Sequence, residues 1–289
     1  MDINNLFSVK GKVVLVTGGS RGIGEMIATG YVAGGAKVYI SSRSKDVCDK
    51  VSKRVLCSVF RSPSRVYRTL NPLPRIVRVS FEILVFETEI ARVLMRYLGG
   101  FADLDVLINN AGANWAATIA EYPDESFQKV INLNLNRIFS LTQASLPLLA
   151  AKSTTENPSS VINIGSIDGI RVRLPSPHLS STIYPIVHHL ASVPQVPLHE
   201  TYAYSASKAA LHHMTRVMAG HLGHQGITVN AIAPGAFPSK MMKATLAKFK
   251  EEIVASVPLA RIGSPEDIAG KLGFGVRKLG PREFHLPFP

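Results

Sequence analysis

Tyr204 and Lys208 are the residues whose types and spacing first indicate proton transfer. They lie four residues apart, so on a helix they share one face. A free phenol has a pKa of about 10 and exchanges protons poorly near neutrality, and a neighbouring ammonium is expected to lower that pKa. Tyr202 competes for the same role, but Ala206 stands four residues after it. The pair therefore predicts that Tyr204 donates or accepts a proton in an active site.

A glycine-rich turn near the N-terminus predicts a site for the pyrophosphate of a dinucleotide. The apolar run 13–17 is typical of a strand buried on both faces, and a helical pattern follows it through Val32. Between them, Gly18 would permit a tight turn, Gly22 a close backbone approach and Gly24 a contact between helix and strand. A plain loop is the alternative for such a segment alone, but its place between a strand and a helix favours the dinucleotide site.

The end of the second predicted strand, 37–41, indicates which dinucleotide binds. A site for NAD would place Asp or Glu there to hold the ribose 2′-hydroxyl, whereas this strand is followed by Ser42 and Arg43. A carboxylate would repel a 2′-phosphate, while Arg43 can pair with it and Arg21 could add a second cation. We therefore expect NADP(H). The alternative is that Arg43 is a solvated loop residue.

Composition is typical of a globular enzyme with a single α/β domain: 289 residues, 46% apolar and 18% charged. No apolar run reaches the length of a membrane span, and residues 1–10 do not resemble a signal peptide. Two cysteines argue against a disulfide framework or a cysteine-rich metal site, so we expect a reducing, cytoplasmic location. The net charge of +12 is concentrated in 51–98, 172–195 and 271–289, which does not favour a nucleic-acid face.

Further segments in chain order extend the alternation of strands and helices. They are a strand at 106–108 ending in Asn109-Asn110-Ala111-Gly112, a helix containing Asn134, a strand at 161–164 ending in Gly165-Ser166, the helix of Tyr204, and a strand at 228–231 before Pro234-Gly235. With the glycine turn, this series resembles the classical short-chain dehydrogenases/reductases over about two-thirds of the chain. Some phrases, such as Pro234-Gly235-Ala236-Phe237, are most similar to 3-oxoacyl reductases of the rhamnolipid-pathway type.

The resemblance implies a Rossmann-type doubly wound parallel sheet with helices on both faces, in a single domain spanning 1–289. It implies a catalytic set of Asn134, Ser166, Tyr204 and Lys208, in which Ser166 positions a carbonyl oxygen, Lys208 holds the nicotinamide ribose and Asn134 anchors a water that relays protons. The cofactor-binding residues it implies, together with those argued above, are Gly18, Ser20, Arg21, Gly22, Ile23, Gly24, Ser42, Arg43, Asn110, Ala111, Gly112, Tyr204, Lys208, Pro234, Gly235 and Phe237.

No metal site is expected. His212 and His213 stand side by side, but no carboxylate or cysteine lies near them at ligand spacing, so we interpret them as part of a solvated helix face.

Three segments depart from the family pattern. The Arg- and Pro-rich stretch 51–98 contains no Asp, although the family places an adenine-contacting Asp after its third strand; residues 75–86 could still supply that strand. Ser166 and Tyr204 stand 38 residues apart, and removing 172–195 restores the usual spacing. We therefore interpret this stretch as an unspliced or misassembled, non-family insert, with a genuine substrate loop as the alternative. In 271–289, Gly and Pro replace the last edge strand, which predicts a weakened homo-oligomer.

Three functions are compatible with these residues. The first is reduction of a ketone, such as a 3-oxoacyl thioester, by NADPH. The second is a dehydrogenase or reductase of a polyketide, sugar or terpenoid in a biosynthetic pathway, which would use the same machinery. The third is a catalytically impaired NADP-binding protein, because of the three atypical segments.

Overall fold

The computed structural model describes residues 8–42, 47–51, 103–170 and 200–269, and the backbone of 76–80. The strands are β1 (Val13–Thr17), β2 (Lys37–Ser42), β3 (Ile76–Ser80), β4 (Val106–Asn109), β5 (Ser159–Ile164) and β6 (Ile227–Ile232). The longer helices are α1 (Gly22–Ala33), α2 (Asp124–Ile131), α3 (Arg137–Ala150), α4 (Tyr202–Leu222) and α5 (Lys243–Ala255). Short 3₁₀ turns lie at Ile119–Glu121, Ile167–Gly169 and Gly223–Gln225, and residues 47–51 and 265–269 are helical.

The six strands form one parallel sheet in the order β3-β2-β1-β4-β5-β6. Apart from β3, each strand places its apolar side chains alternately in two hydrophobic cores, one on each face of the sheet. Val14 and Val16 of β1 face the core that α1 covers, while Leu15 faces the core that α3 and α4 cover. This alternation explains why the strands read as continuous apolar runs, since both faces of the sheet are buried. The expected doubly wound sheet with helices on both faces is confirmed.

The strand order reverses between β1 and β4, which pair with each other in parallel. In open α/β sheets, the crevice outside the carboxyl ends of strands at such a point is where ligands bind. Gly18 follows β1 and Asn110 follows β4, so both lie at this crevice. Ser166 follows β5 at the same edge of the sheet.

Each predicted strand is found, with bounds that differ by one or two residues. A third strand, β3, lies within the stretch 75–86 that was expected to supply it, and it pairs with β2. The insert at 172–195, the tail at 271–289, most of 51–98 and Arg43 lie outside the described residues. Within the described ranges, no helix is long and apolar enough to cross a membrane.

Candidate active site at the carboxyl edge of the sheet

The glycine turn after β1 takes the backbone conformations that glycine favours. Gly18 has φ +64° and Gly22 has φ +53°, a region that residues with a Cβ rarely adopt. A Cβ on Gly18 would lie 3.0 Å from Nδ2 of Asn110, and a Cβ on Gly24 would overlap the carbonyl oxygen of Gly18. The bare backbone leads directly into the N-terminus of α1, where amide groups favour a phosphate. This cradle, which side chains would fill, fits a dinucleotide pyrophosphate.

Thr17 joins the ends of β1 and β4 at the floor of the crevice. Its Oγ1 accepts hydrogen bonds from the amides of Asn110 (2.9 Å) and Ala111 (3.0 Å), and donates to the carbonyl of Ile108 (3.2 Å). In return, Nδ2 of Asn110 donates hydrogen bonds to the carbonyl oxygens of Thr17 and Gly18. The two strand ends are thus held as one unit. Thr17 was not predicted as a site residue, because its place at the strand end was its only signal in the sequence.

Polar groups surround the outer side of the glycine turn. The buried Ser20 donates its hydroxyl to Ser42 at the end of β2, over 2.7 Å. Arg21 is exposed, and its side chain has no hydrogen bond or ion pair among the described residues, so its guanidinium is available to an anion. Ile23 packs against the core beneath α1. Ser20, Arg21 and Ser42 therefore lie where the sequence places the ribose end of a dinucleotide.

Asn134 lies in a π-helical turn, Asn132–Asn136, between α2 and α3. It is fully buried, its Oδ1 accepts from the amide of Ala113 (2.8 Å), and its Nδ2 donates to the carbonyl of Ala113 (2.9 Å) and to Oγ of Ser207 (3.0 Å). Ser207 stands on α4 beside Lys208. Asn134 therefore ties the loop after Gly112 to the helix of the candidate tyrosine. The expected water relay stays a prediction.

Ser166 caps a 3₁₀ turn just past β5. It is buried, and its Oγ accepts from the amide of Asp168 over 3.1 Å. Its side chain also lies near enough to the hydroxyl of Tyr204 to act on the pKa of that phenol. The structure thus brings Ser166 and Tyr204 together despite the 38 residues between them.

Tyr204 and Lys208 share one face of α4, as their spacing predicts. Nζ of Lys208 lies 5.6 Å from the centre of the Tyr204 ring and donates to the carbonyl of Ile164 at 2.6 Å. Burial lowers the pKa of Lys208 from its ordinary 10.5 to about 8.

The prediction that Lys208 lowers the pKa of Tyr204 is wrong. Burial raises the pKa of Tyr204, the hydrogen bond from Ser166 opposes that rise, and the charge of Asp168 adds to it. The net effect is a phenol that keeps its proton at neutral pH. The helical spacing predicted the proximity of Lys208, but burial was the larger influence on the proton.

Tyr202 is engaged elsewhere. Its hydroxyl donates to the carboxylate of Glu200, which also accepts from the amide of Ile119 at 2.8 Å. The Tyr202 ring meets Tyr122 edge-on at 5.7 Å. These contacts hold the start of α4 against the loop after β4, so Tyr202 has a structural role beside the site.

The remaining predicted residues lie around the same edge. The carbonyl of buried Pro234 accepts from the amide of Ile167, Gly235 is exposed, and the ring of Phe237 is buried in the core cluster of α1. His213 is exposed, as expected. The interpretation of His212 as solvated is wrong: it is half-buried, and its Nε2 lies 3.1 Å from the carbonyl oxygen of Ser166. Among the described residues no cluster of His, Cys, Asp or Glu could hold a metal ion.

Sequence profiles and curated relatives agree with this geometry. The profile described as short chain dehydrogenase matches residues 12–181, and one described as Enoyl-(Acyl carrier protein) reductase matches residues 186–274. The chain is 38% identical over 266 residues to a rhamnolipids biosynthesis 3-oxoacyl-(acyl-carrier-protein) reductase of Pseudomonas aeruginosa, covering 91% of this chain and 88% of that protein. It is 27% identical over 261 residues to a 3-oxoacyl-(acyl-carrier-protein) reductase of Thermotoga maritima, covering 90% and 88%.

Solved structures share the fold. The Pseudomonas aeruginosa RhlG/NADP active-site complex superposes with a TM-score of 0.73 at 35% identity, covering 94% of this chain and 91% of that one. A short-chain type dehydrogenase/reductase from Mycobacterium marinum superposes with a TM-score of 0.75 at 22% identity, covering 95% and 92%.

Proposed function

Because the chain belongs to the short-chain dehydrogenase family, we propose that it is an NADP(H)-dependent oxidoreductase that reduces a ketone to a secondary alcohol. The ketone is a 3-oxoacyl thioester or a similar compound, since the relative of 38% identity is a 3-oxoacyl reductase. The observation that carries the proposal is the meeting of Tyr204, Ser166 and Lys208 at the carboxyl edge of the sheet, beside the glycine cradle.

Tyr204 acts as the proton donor. Its raised pKa keeps the phenol protonated at neutral pH, which suits donation to a carbonyl oxygen in the reductive direction. Ser166, whose side chain lies near the phenol, positions the same oxygen and stabilises the charge that develops on it. Lys208 places a charge beneath the phenol ring and is close enough to steady it.

NADP(H) is the proposed cofactor, and its nicotinamide would supply the hydride. The cradle at Gly18, Gly22 and Gly24 would hold the pyrophosphate, with Asn110, Ala111 and Gly112 beside it at the end of β4. Ser20, Arg21 and Ser42, with Arg43, would face the adenosine ribose and its 2′-phosphate. Ile23, Pro234, Gly235 and Phe237 complete the proposed set, together with Tyr204 and Lys208. The relative with a TM-score of 0.73 was solved as an NADP complex, which supports this choice.

The test is NADPH oxidation in the presence of an acetoacetyl thioester, with Tyr204→Phe and Tyr202→Phe compared in parallel. We expect the first substitution to remove turnover while NADPH still binds, because only the proton donor is lost. The second should keep turnover, because the Tyr202 hydroxyl is directed to Glu200. NADPH binding without turnover on a broad ketone panel would instead identify an impaired NADP-binding protein, and full activity of Tyr204→Phe would refute the proposal.

The segment 172–195 is proposed to be dispensable. Its flanks are anchored independently of it: the amide of Ile170 donates to Ile167, and the carboxylate of Glu200 accepts from Ile119. A deletion of 172–195 should therefore keep the contact of Ser166 with Tyr204, and with it NADPH-dependent turnover. Loss of substrate turnover with intact NADPH binding would identify the segment as a substrate loop. Peptides from 173–195 in mass spectra of the native protein would show that the segment is not removed.

Location and assembly are proposed from the sequence. Two cysteines in 289 residues suit a reducing compartment, and we place the protein in the cytoplasm. The atypical stretch 271–289 is expected to weaken a homo-oligomer, so size-exclusion chromatography should give dissociation on dilution. A tetramer that survives dilution to nanomolar concentration would contradict this.

A further inference from the structure

His212 lies directly against the residue that follows β5. Its Nε2 is 3.1 Å from the carbonyl oxygen of Ser166. A carbonyl only accepts, so this hydrogen bond requires the proton on Nε2. Burial lowers the pKa of His212, the bond to Ser166 opposes that effect, and the charges of Lys208 and Arg216 add to the lowering. A neutral imidazole therefore serves as a fixed hydrogen-bond donor to the backbone of Ser166.

The same imidazole leaves no space for a side chain at Gly165. A Cβ at this position would lie 2.6 Å from Nε2 of His212 and 3.1 Å from the carbonyl oxygen of Ile232. The amide of Gly165 donates to that carbonyl of Ile232 over 2.7 Å. The backbone just before Ser166 is thus enclosed between β6 on one side and the His212 ring on the other, with no room for a side chain.

Three side chains of α4 hold the end of β5. Lys208 donates to the carbonyl of Ile164, His212 to the carbonyl of Ser166, and Thr215 accepts from Nδ2 of Asn163 at 2.9 Å. Positions 208, 212 and 215 form one stripe on a helix. Among these three hydrogen bonds, that of His212 is the one made to Ser166, whose side chain lies near the hydroxyl of Tyr204.

We propose that His212 is a positioning residue for Ser166: its Nε2–H fixes the backbone from which the Ser166 hydroxyl reaches the substrate oxygen. This inference rests on the proposed function, because it assigns Ser166 a role in the reaction. The helix α4 then carries both Tyr204 and the His212 side chain that positions Ser166. The two groups that share one substrate oxygen are aligned by a single rigid element.

The test compares His212→Leu, His212→Gln and His213→Leu in the full chain. Loss of the donor in His212→Leu should lower kcat about tenfold, since small misplacements of catalytic groups have effects of this size. The KM for the thioester and the stoichiometry and Kd of NADPH binding should stay within about twofold. The Gln amide can reach the same carbonyl and should restore most of kcat. His213→Leu, at the adjacent exposed position, should match the wild type.

Gly165→Ala provides a second, independent arm. Its methyl group must displace the imidazole, so it should lower kcat as His212→Leu does. In a His212→Ala background the ring is gone, and adding Gly165→Ala should cause little further loss, which a double-mutant cycle measures. Independent, multiplying losses would overturn the inference.

The two proposals fail in different ways. If the wild type has no turnover, or Tyr204→Phe is active, the proposed function fails. If turnover requires Tyr204 but His212→Leu has a wild-type kcat, or His212→Gln is no better than His212→Leu, the positioning role fails and the function stands.

Discussion

Lys208→Met isolates the energetic effect of burying an ammonium in this site. The Lys208 side chain is 4% exposed and its Nζ has one hydrogen bond within the described residues, to the carbonyl of Ile164. One acceptor replaces only part of the water that solvates a free ammonium, so the folded protein disfavours the charged form. This is why burial brings the pKa of Lys208 down to about 8 from 10.5.

The size and sign of the effect follow from the two pKa values. Below pH 8 the lysine carries its proton in both the folded and the unfolded state, and its lowered pKa destabilises the fold by about 3 kcal/mol. Between about 8 and 10.5 the unfolded chain keeps a proton that the folded protein has released. The unfolded state then binds more protons, so the free energy of unfolding rises with pH. Relative to Lys208→Met, the wild type should gain about 2–3 kcal/mol from pH 7 to pH 10.

Urea unfolding followed by circular dichroism from pH 7 to pH 10 measures this difference. Tyrosines and other groups titrate in both proteins and largely cancel in the comparison. Lys240→Met is the matched control, because Lys240 is exposed and water solvates its ammonium in both states. Its curve should run parallel to that of the wild type. Parallel curves for Lys208→Met as well would refute the reasoning that burial determines the proton affinity of Lys208.

Three further predictions concern the neighbouring residues. Asn134→Ala should lower the free energy of unfolding by about 3 kcal/mol in urea titrations, because it removes three hydrogen bonds of a fully buried side chain and leaves the partly buried amide of Ala113 without its acceptor. Stability within about 0.5 kcal/mol of the wild type would contradict this. Asp168→Asn removes a charge that raises the pKa of Tyr204, so the rise of kcat/KM with pH in alcohol oxidation should move to lower pH, and an unmoved profile would exclude this coupling. Gly18→Ala, at φ +64°, should weaken NADPH binding measured by fluorescence at least tenfold through backbone strain of about 1–2 kcal/mol and loss of the cradle.

Elements with a local signature were predictable from the sequence. The run at 13–17 is apolar at every position but the last because both faces of β1 are buried, and such a run has few alternatives in an α/β chain. The glycines at 18 and 22 were predictable because the turn gives both a positive φ, a backbone conformation that residues with a Cβ rarely adopt. The fold, the family and the class of reaction follow from these local signals taken in order.

Contacts between residues far apart in the sequence were not predictable in the same way. The partner of His212 is the backbone of Ser166, 46 residues away, and a carbonyl group has no residue type by which a sequence could reveal it. Thr17 was missed for the same reason, since it binds the amides of Asn110 and Ala111. The prediction for the pKa of Tyr204 was wrong for a different reason. Spacing along a helix identifies the neighbours of a residue, whereas its burial depends on all the elements that pack around it.

The end of β5 and the helix α4 are held to each other by side chains. Lys208 and Thr215 bind the last two residues of β5, and His212 binds Ser166 just beyond them. Loop-closure entropy grows slowly with length, so a long connection between β5 and α4 adds little cost while these contacts persist. The hydroxyl groups of Ser166 and Tyr204 can therefore lie close together although 38 residues separate them in the sequence, because side chains of α4 bind the end of β5 directly.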